Sequence, residues 1–384
     1  MSEGREAEPS AAGVLGPLFA SLHVGSPRVA IVHDYITQKG GAERVVLALL
    51  EAFPDARLIT SVFNPESTFE QFAEYDVETT WLNRVAFFRR DPRRALPLLA
   101  LAMRTVQLSD VDVVLCSSSG WAHGVRSEAP KVVYCYNPAR WLYQFSQYSV
   151  NHHWIVRALA WLVGPVLRRW DRRVAATAFS YLTLSRVVAD RIRNQYGLSA
   201  HIVPPPVTLD AAGPQTVVEG LSPGFLLTVS RSRNYKNVHA IASAVEVLPD
   251  ERLVVVGELP EGRWSNRTVA VSDLSDAELR WLYANCDGVV AASYEDFGLT
   301  PVEGYTFGKP ALCLRAGGFL DTMVEGTTGV FFDQPATKPI VDAVREFRAR
   351  PWSHAAIRAH GDQYGLARFS ERLMDEVRRA ADAT

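Results

Sequence analysis

Residues Gly288 to Gly308 read GVVAASYEDFGLTPVEGYTFG. The opening GVVAAS is a short apolar run with turn residues after it, which predicts a buried strand. Pro301 predicts the first position of a helix, where the N–H that proline lacks would be unpaired anyway. Thr300 is then the N-cap, and Glu303 completes a Thr-x-x-Glu capping box. A strand that passes through one loop into a helix is half of a parallel βα unit. The loop between them, at the strand's C-terminal edge, is where open α/β sheets bind ligands.

Working outward, the same alternation recurs along the chain. RVAIVHD, RLITSVF, VDVVLCSS, KVVYCYN and YLTLS read as strands, with helices AERVVLALLEAF and RVVADRIRNQYG, the latter stopping on Gly197. HIVPPPV, His201 to Val207, interrupts the pattern with three prolines, which enforce a stiff extended connector. FLLTVS, RLVVVG, GVVAAS and PALCLR then alternate with helices VHAIASAVEVL, DAELRWLYANC, PVEGYTFG and LDTMVEG. The expected fold class is therefore α/β, with two doubly wound Rossmann-like domains facing across a cleft. The expected boundaries are a disordered tail at 1–27, a first domain at 28–204, a second at 205–360, and a C-terminal helix at 361–384 that packs back on the first. The 384 residues, 48% of them hydrophobic, are enough for two cores.

Composition narrows the function classes. A formal net charge of −2 gives no general polyanion-binding surface, so no nucleic-acid partner is expected. The four cysteines, Cys116, Cys135, Cys286 and Cys313, lie far apart in apolar runs without CxxC spacing. They read as buried thiols of a cytoplasmic protein, with no zinc site. The first 27 residues lack the basic start of a secretory signal, and no run of eighteen apolar residues suggests a membrane span.

Four strand-to-helix loops are candidates for chemistry. In the opening stretch Glu295 has no capping role and can accept hydrogen bonds from sugar hydroxyls or stabilise positive charge at an anomeric carbon, whereas a solvated loop acid is the plain alternative. Phe297, Gly298, Leu299 and Thr300 aim N–H groups at the same edge, an anion site suited to phosphate. Glu303 is either the cap or a ligand contact. TVSRSRNYKNV puts Arg231 and Lys236 in one loop, where two cations can neutralise a diphosphate or be ordinary surface charges. Gly40 and Gly41, after the first strand, allow close backbone approach, or only a tight turn. They do not form the GxGxxG dinucleotide fingerprint. His123, in LCSSSGWAHGV, faces the same edge of the first sheet or is simply packed. Asp110 and Asp112 begin a strand, at the wrong end for a metal site.

Together these loops resemble the retaining glycosyltransferases of family 4, of the GT-B fold, from Arg28 to about Phe369. The resemblance rests on Glu295-x7-Glu303, on Ser230-Arg231 with Lys236, and on the glycine loop GGFLDTMVEGTTGV from Gly317. In the first domain HDYITQKGGAERVV, SSSGWAHGV and YCYNPARWLYQF resemble bacterial mannosyltransferase-like enzymes of surface-polysaccharide assembly. The resemblance implies a metal-independent hexosyltransferase without a cofactor, using a nucleotide-diphosphate sugar, GDP-mannose first, and a glycan or lipid-linked acceptor. By position it implies Glu295 and His123 at the transferred sugar, Arg231 and Lys236 on the diphosphate, Gly40 and Gly41 against the nucleotide sugar, and Glu303 on the ribose. Tyr136, Asn137 and Arg140 fall on the acceptor side. Where the subgroup commonly reads YCHTP, this chain has Tyr136 and Asn137 in place of His-Thr, which changes the expected substrate preference.

Two basic and aromatic segments, Arg84–Arg104 and Trp154–Arg173, suit peripheral contact with the anionic inner face of a cell membrane. The first carries Arg84, Arg89, Arg90, Arg93, Arg94 and Arg104 against Asp91 alone. The alternative is core packing with solvated arginines. Two rival functions stay open: a sugar-nucleotide epimerase or phosphorylase on the same architecture, and a non-catalytic nucleotide- or carbohydrate-binding partner.

Overall fold

The structure is a computed structural model and describes residues 27–144, 154–230 and 236–383. Most of the expected N-terminal tail and the expected diphosphate ligand Arg231 lie outside the described residues.

The first half of the chain runs β1 (Val29–His33), α1 (Gly41–Ala52), β2 (Arg57–Thr60), β3 (Val77–Thr79), α2 (Ala86–Arg90), α3 (Leu96–Thr105) and β4 (Gln107–Leu108). It continues with β5 (Val113–Ser118), β6 (Arg126–Ser127), β7 (Lys131–Cys135), α4 (Arg140–Tyr143), α5 (Trp154–Ala175), β8 (Ser180–Thr183), α6 (Arg186–Tyr196) and β9 (His201–Ile202). Seven of these strands form a sheet in the order β3-β2-β1-β5-β7-β8-β9, and β4 pairs with β6 apart from it. β1 is parallel to both β2 and β5, and each of its residues is buried, as its unbroken apolar run requires.

The second half contains β10 (Leu226–Ser230), α7 (Val238–Val247), β11 (Leu253–Gly257), β12 (Thr268–Val271), α8 (Asp276–Asn285), β13 (Gly288–Ala291) and α9 (Leu299–Thr306). It ends with β14 (Ala311–Leu314), α10 (Phe319–Thr322), β15 (Gly329–Phe332), α11 (Thr337–Ala349), α12 (His354–Gly361) and α13 (Leu366–Asp382). Its six-stranded sheet, β12-β11-β10-β13-β14-β15, is parallel throughout. The apolar faces of α7 and α11 cover it: Ile241, Val245, Ile340, Val344 and Phe347 pack on Leu226, Val255, Val290 and Leu312.

Contact density divides the chain into two compact units. One runs up to Tyr181 and takes in the residues from Leu373 onward, and the other is Leu182–Arg372. The sequence had put the change at residues 204 and 205, in the triple proline, and the returning tail at 361. α6 groups with the second unit, where Arg186 pairs with Asp321 and Arg191 with Asp296, contacts that its spacing does not announce. The strand order reverses between β1 and β5 in the first sheet and between β10 and β13 in the second. Loops diverging at such a point open a crevice at the strands' C-terminal ends. All four cysteines are buried free thiols, as expected, and burial pushes the Cys116 thiol up to about 12. No described helix is long and apolar enough to cross a membrane.

Candidate functional site

The switch point of the second sheet brings together the loops that follow β10 and β13. Glu295 lies two residues beyond Ser293, and its Oε1 accepts hydrogen bonds from Ser293 Oγ at 2.6 Å and Lys236 Nζ at 2.7 Å. Both charged side chains remain about one-fifth exposed, so the pair is accessible from the crevice. The two loops are also joined by Asn237, which takes a left-handed conformation (φ 54°) and donates from Nδ2 to the Ala292 carbonyl at 2.7 Å. Asparagine tolerates that backbone better than most residues, and here its amide carries a second task.

The capping box expected at Thr300 does not form. α9 starts two residues earlier, at Leu299, with Gly298 as N-cap at φ 91° and no side-chain cap. The cause is the glycine: its left-handed backbone turns the chain into the helix before Thr300 is reached. Pro301 becomes the third helical residue, where its lack of an N–H still costs nothing. Glu303 is then too far along to reach back to the cap. Its Oε2 instead accepts from the hydroxyl of Tyr283, on α8, at 2.5 Å. The same start leaves the N–H groups of Gly298, Leu299 and Thr300 without helical acceptors, at the positive end of the helix dipole.

The loop from Gly317 fixes this backbone from the other side. Gly318 N donates to the Glu295 carbonyl at 2.8 Å. Gly317 sits at φ 63°, and a Cβ built there would lie 2.3 Å from that same carbonyl oxygen. Only glycine lets the two loops come so close. Asp296, next to Glu295, is held by Arg191 Nη1 at 2.5 Å.

In the first unit, Asp34 directly follows β1 and is nearly fully buried. Its carboxylate accepts from the backbone N–H groups of Ser119, Trp121 and Ala122 at 2.6, 2.7 and 2.7 Å, which pins the loop after β5. His123 belongs to that loop and is 2% exposed. Its Nε2 is 3.0 Å from Asp171 Oδ1 and its Nδ1 is 3.5 Å from Ser118 Oγ, while Tyr143 donates to the other Asp171 oxygen at 2.8 Å. Neither ring nitrogen faces solvent in this arrangement, so the packed alternative describes the ring as it stands.

Tyr136 shares a hydrogen bond with Ser117 Oγ at 2.9 Å and donates to the Ala42 carbonyl at 3.3 Å, linking the end of β7 to the first turn of α1. Burial drives its phenol far above the ordinary range. Asn137 is buried and Arg140 is exposed at the start of α4. Gly40 is the N-cap of α1, where a Cβ would collide with the Glu43 carboxylate.

Sequence reasoning missed Asp34, Asn237, Ser293 and Tyr283. Asp34 carried a signal, an acid directly after a buried strand. Asn237 carried a weaker one, an asparagine before a helical run. Nothing in the spacing marks Tyr283, whose partner lies on another helix. Among the described residues no group of three or more His, Cys, Asp and Glu is arranged to hold a metal ion.

Two family models match in succession, "Glycosyltransferase Family 4" over residues 39–211 and "Glycosyl transferases group 1" over residues 216–363. Among curated proteins, the chain is similar to alpha-1,3/1,6-mannosyltransferase ALG2 of Dictyostelium discoideum, 31% identical over 106 residues, covering 27% of this chain and 25% of that protein. The chain thus spans about a quarter of the length of that relative. Among solved structures, sucrose-phosphate synthase from Thermosynechococcus elongatus superposes with a TM-score of 0.67 at 14% identity, over 93% of this chain and 100% of that one. Anabaena Alr3699/HepE in complex with UDP-glucose gives a TM-score of 0.64 at 14% identity, over 92% and 100%. These likenesses concern the fold. With one model on each half and the paired glutamates at the second switch point, the chain belongs to the GT-B glycosyltransferases of the family 4 type.

Proposed function

We propose that the protein is a retaining hexosyltransferase that moves mannose from GDP-mannose to a glycan or lipid-linked acceptor, without a metal ion. The observation that supports this most is the Lys236–Glu295 pair, 2.7 Å apart across the β10–β13 switch point and beside the free N–H groups of α9. That arrangement offers a cation and a helix N-terminus for a diphosphate, with a carboxylate adjacent for sugar hydroxyls. The likeness to a mannosyltransferase over 106 residues supports mannose as the first choice.

In this reading Lys236, Arg231 and the N–H groups of Gly298, Leu299 and Thr300 stabilise the negative charge that grows on the departing diphosphate. The cations do what a divalent ion does elsewhere, so turnover should be insensitive to chelators. As the anomeric C–O bond breaks, the sugar takes on oxocarbenium character. The acceptor hydroxyl forms the new bond on the same face, and its proton passes to a leaving-phosphate oxygen. Glu295 grips the sugar and Glu303 the ribose hydroxyls, while Phe297 and the Gly40–Gly41 loop line the donor. His123 contributes through the loop it braces, and Tyr136, Asn137 and Arg140 bear on acceptor choice. A lipid-linked acceptor would bring the reaction to the cytoplasmic face of a membrane.

Calorimetric titration with GDP, UDP and ADP tests the reading. We expect GDP to bind most tightly. Preference for UDP would replace the donor, and failure of all three would leave the non-catalytic alternative standing.

A further inference from the structure

The first unit carries a second polar site that the donor reading does not use. At the C-terminal end of β3 a groove of about 370 Å³ is lined by Thr79, Thr80, Trp81, Asn83, Arg84 and Arg89. That volume lies within the roughly 300–1,000 Å³ range of small-ligand sites. Its polar wall is held in place. Thr80 Oγ1 donates to the Ser61 carbonyl at 2.8 Å, while Asn83 accepts from Phe63 N at 3.0 Å and donates to Thr79 Oγ1 at 3.3 Å.

The two arginines differ from most others in the protein. Elsewhere the guanidinium groups are typically paired, as Arg57 is with Glu78, Arg315 with Glu325 and Arg348 with Glu251. Among the described residues neither the Arg84 nor the Arg89 guanidinium has an ion-pair or hydrogen-bond partner. Arg90 has none either, and Asp91 is the one acid of the segment, within 3.6 Å of Arg94. Arg93 is left aside, because its side chain lies outside those described. Around this cationic rim the chain exposes large apolar groups: Trp81 and Val85 at 39% and Phe87 at 54%. Arg94 stacks on the Phe87 ring at 4.5 Å, and the ring stays exposed. Clustered apolar side chains beside unpaired cations suit a surface that is anionic at one depth and hydrocarbon at the next.

We propose that this groove binds the phosphate headgroup of an anionic membrane lipid, with Arg84 and Arg89 on the phosphate and Trp81, Val85 and Phe87 entering the acyl boundary beside it. Thr79 ends an edge strand of the parallel sheet, so the site opens at the same sheet edge as the loops after β1 and β5. This goes beyond the donor reading and is tested without nucleotide, so either can fail while the other stands.

The test is flotation of the full chain with neutral phosphatidylcholine vesicles and with vesicles containing one-third phosphatidylglycerol. We expect selective binding to the anionic vesicles. Each arginine near such a surface contributes roughly fivefold, so Arg84→Gln with Arg89→Gln should weaken binding roughly thirty-fold. The pair Arg84→Lys with Arg89→Lys should retain most of it, and Phe87→Ser should weaken it at unchanged charge. All these side chains are exposed, and unaltered thermal midpoints confirm folding of the variants. The proposal is overturned if the double glutamine variant floats like wild type or if neutral vesicles bind equally well. It is also overturned if inorganic phosphate, at matched ionic strength, displaces the protein completely, because the groove would then take the free ion. Loss of binding confined to Trp161→Ser with Leu162→Ser would move the contact to α5, whose Trp161 and Leu162 are 80% and 67% exposed, and would equally overturn it.

Discussion

Removing the charge of Glu303 separates its bond to Tyr283 from the proposed ribose contact. Because α9 is capped by Gly298 and not by a box, Glu303→Gln takes no cap away. Inside the fold it weakens the hydrogen bond from the Tyr283 hydroxyl, 2.5 Å long. A bond to a charged acceptor contributes about 1.5–3 kcal/mol and a neutral one about 0.5–1.5, so the substitution should cost about 1 kcal/mol. In a unit of this size that is a fall of about 2–4 °C in thermal midpoint. Tyr283→Phe removes the bond outright and should cost about 1.5–3 kcal/mol, and Glu303→Gln should add little to it in the double variant, because the bond it weakens is then already gone. Nucleotide affinity should respond differently. A carboxylate that accepts two ribose hydroxyls loses about 1.5–3 kcal/mol when it becomes an amide, or roughly ten- to hundred-fold in Kd for GDP. Differential scanning calorimetry and titration calorimetry on the same preparations measure the two effects. If Glu303→Gln lowers the midpoint as stated but leaves the GDP Kd within twofold, Glu303 is a strut for Tyr283, and the ribose contact is refuted.

Three further substitutions probe the rest of the site. Lys236→Met should raise the GDP Kd roughly tenfold or more while costing about 1 kcal/mol of stability or less, because its ion pair is partly exposed. Equal retention of GDP by wild type and variant would remove Lys236 from the diphosphate. Gly317→Ala forces a Cβ to 2.3 Å from the Glu295 carbonyl at a left-handed φ, so stability should fall by about 2 kcal/mol or more and donor turnover with it. An unchanged melting curve would show that the loop yields freely. Burial lowers the pKa of the Lys131 ammonium, which donates to the His123 carbonyl at 3.2 Å. A depressed folded-state pKa means that the unfolded chain binds more protons between the two values, so stability rises with pH through that window and is lost again as pH falls. Urea titrations between neutral pH and the ordinary lysine range should show this rise in wild type and not in Lys131→Met.

The fold was legible because buried parallel strands are written as uninterrupted apolar runs. VAIVH and VVLCSS leave little choice, and so does a helix that stops on a left-handed glycine such as Gly197. The opening stretch was legible as strand, loop and helix, but its detail was not. Thr-Pro-Val-Glu has the composition of a capping box, and the residue that overrode it, Gly298, acts through a backbone angle that composition does not display. Glu295 and Lys236 were each visible as charges at strand ends. Their pairing was hidden, because it depends on β10 and β13 being neighbours although β11 and β12 lie between them in the chain. His123 was hard to read for a related reason: its partner Asp171 stands 48 residues away on α5, and no local pattern distinguishes a braced imidazole from an open one.

The left-handed turn at Asn237 has a practical consequence for anyone redesigning this site. Its amide ties the loop after β10 to the end of β13, and Gly318 ties the loop after β14 to Glu295. The three loops are therefore one inheritable cassette. Grafting any one of them from a relative would import half of a joint, so exchanges should move all three together or confine themselves to side chains that take no part in either tie.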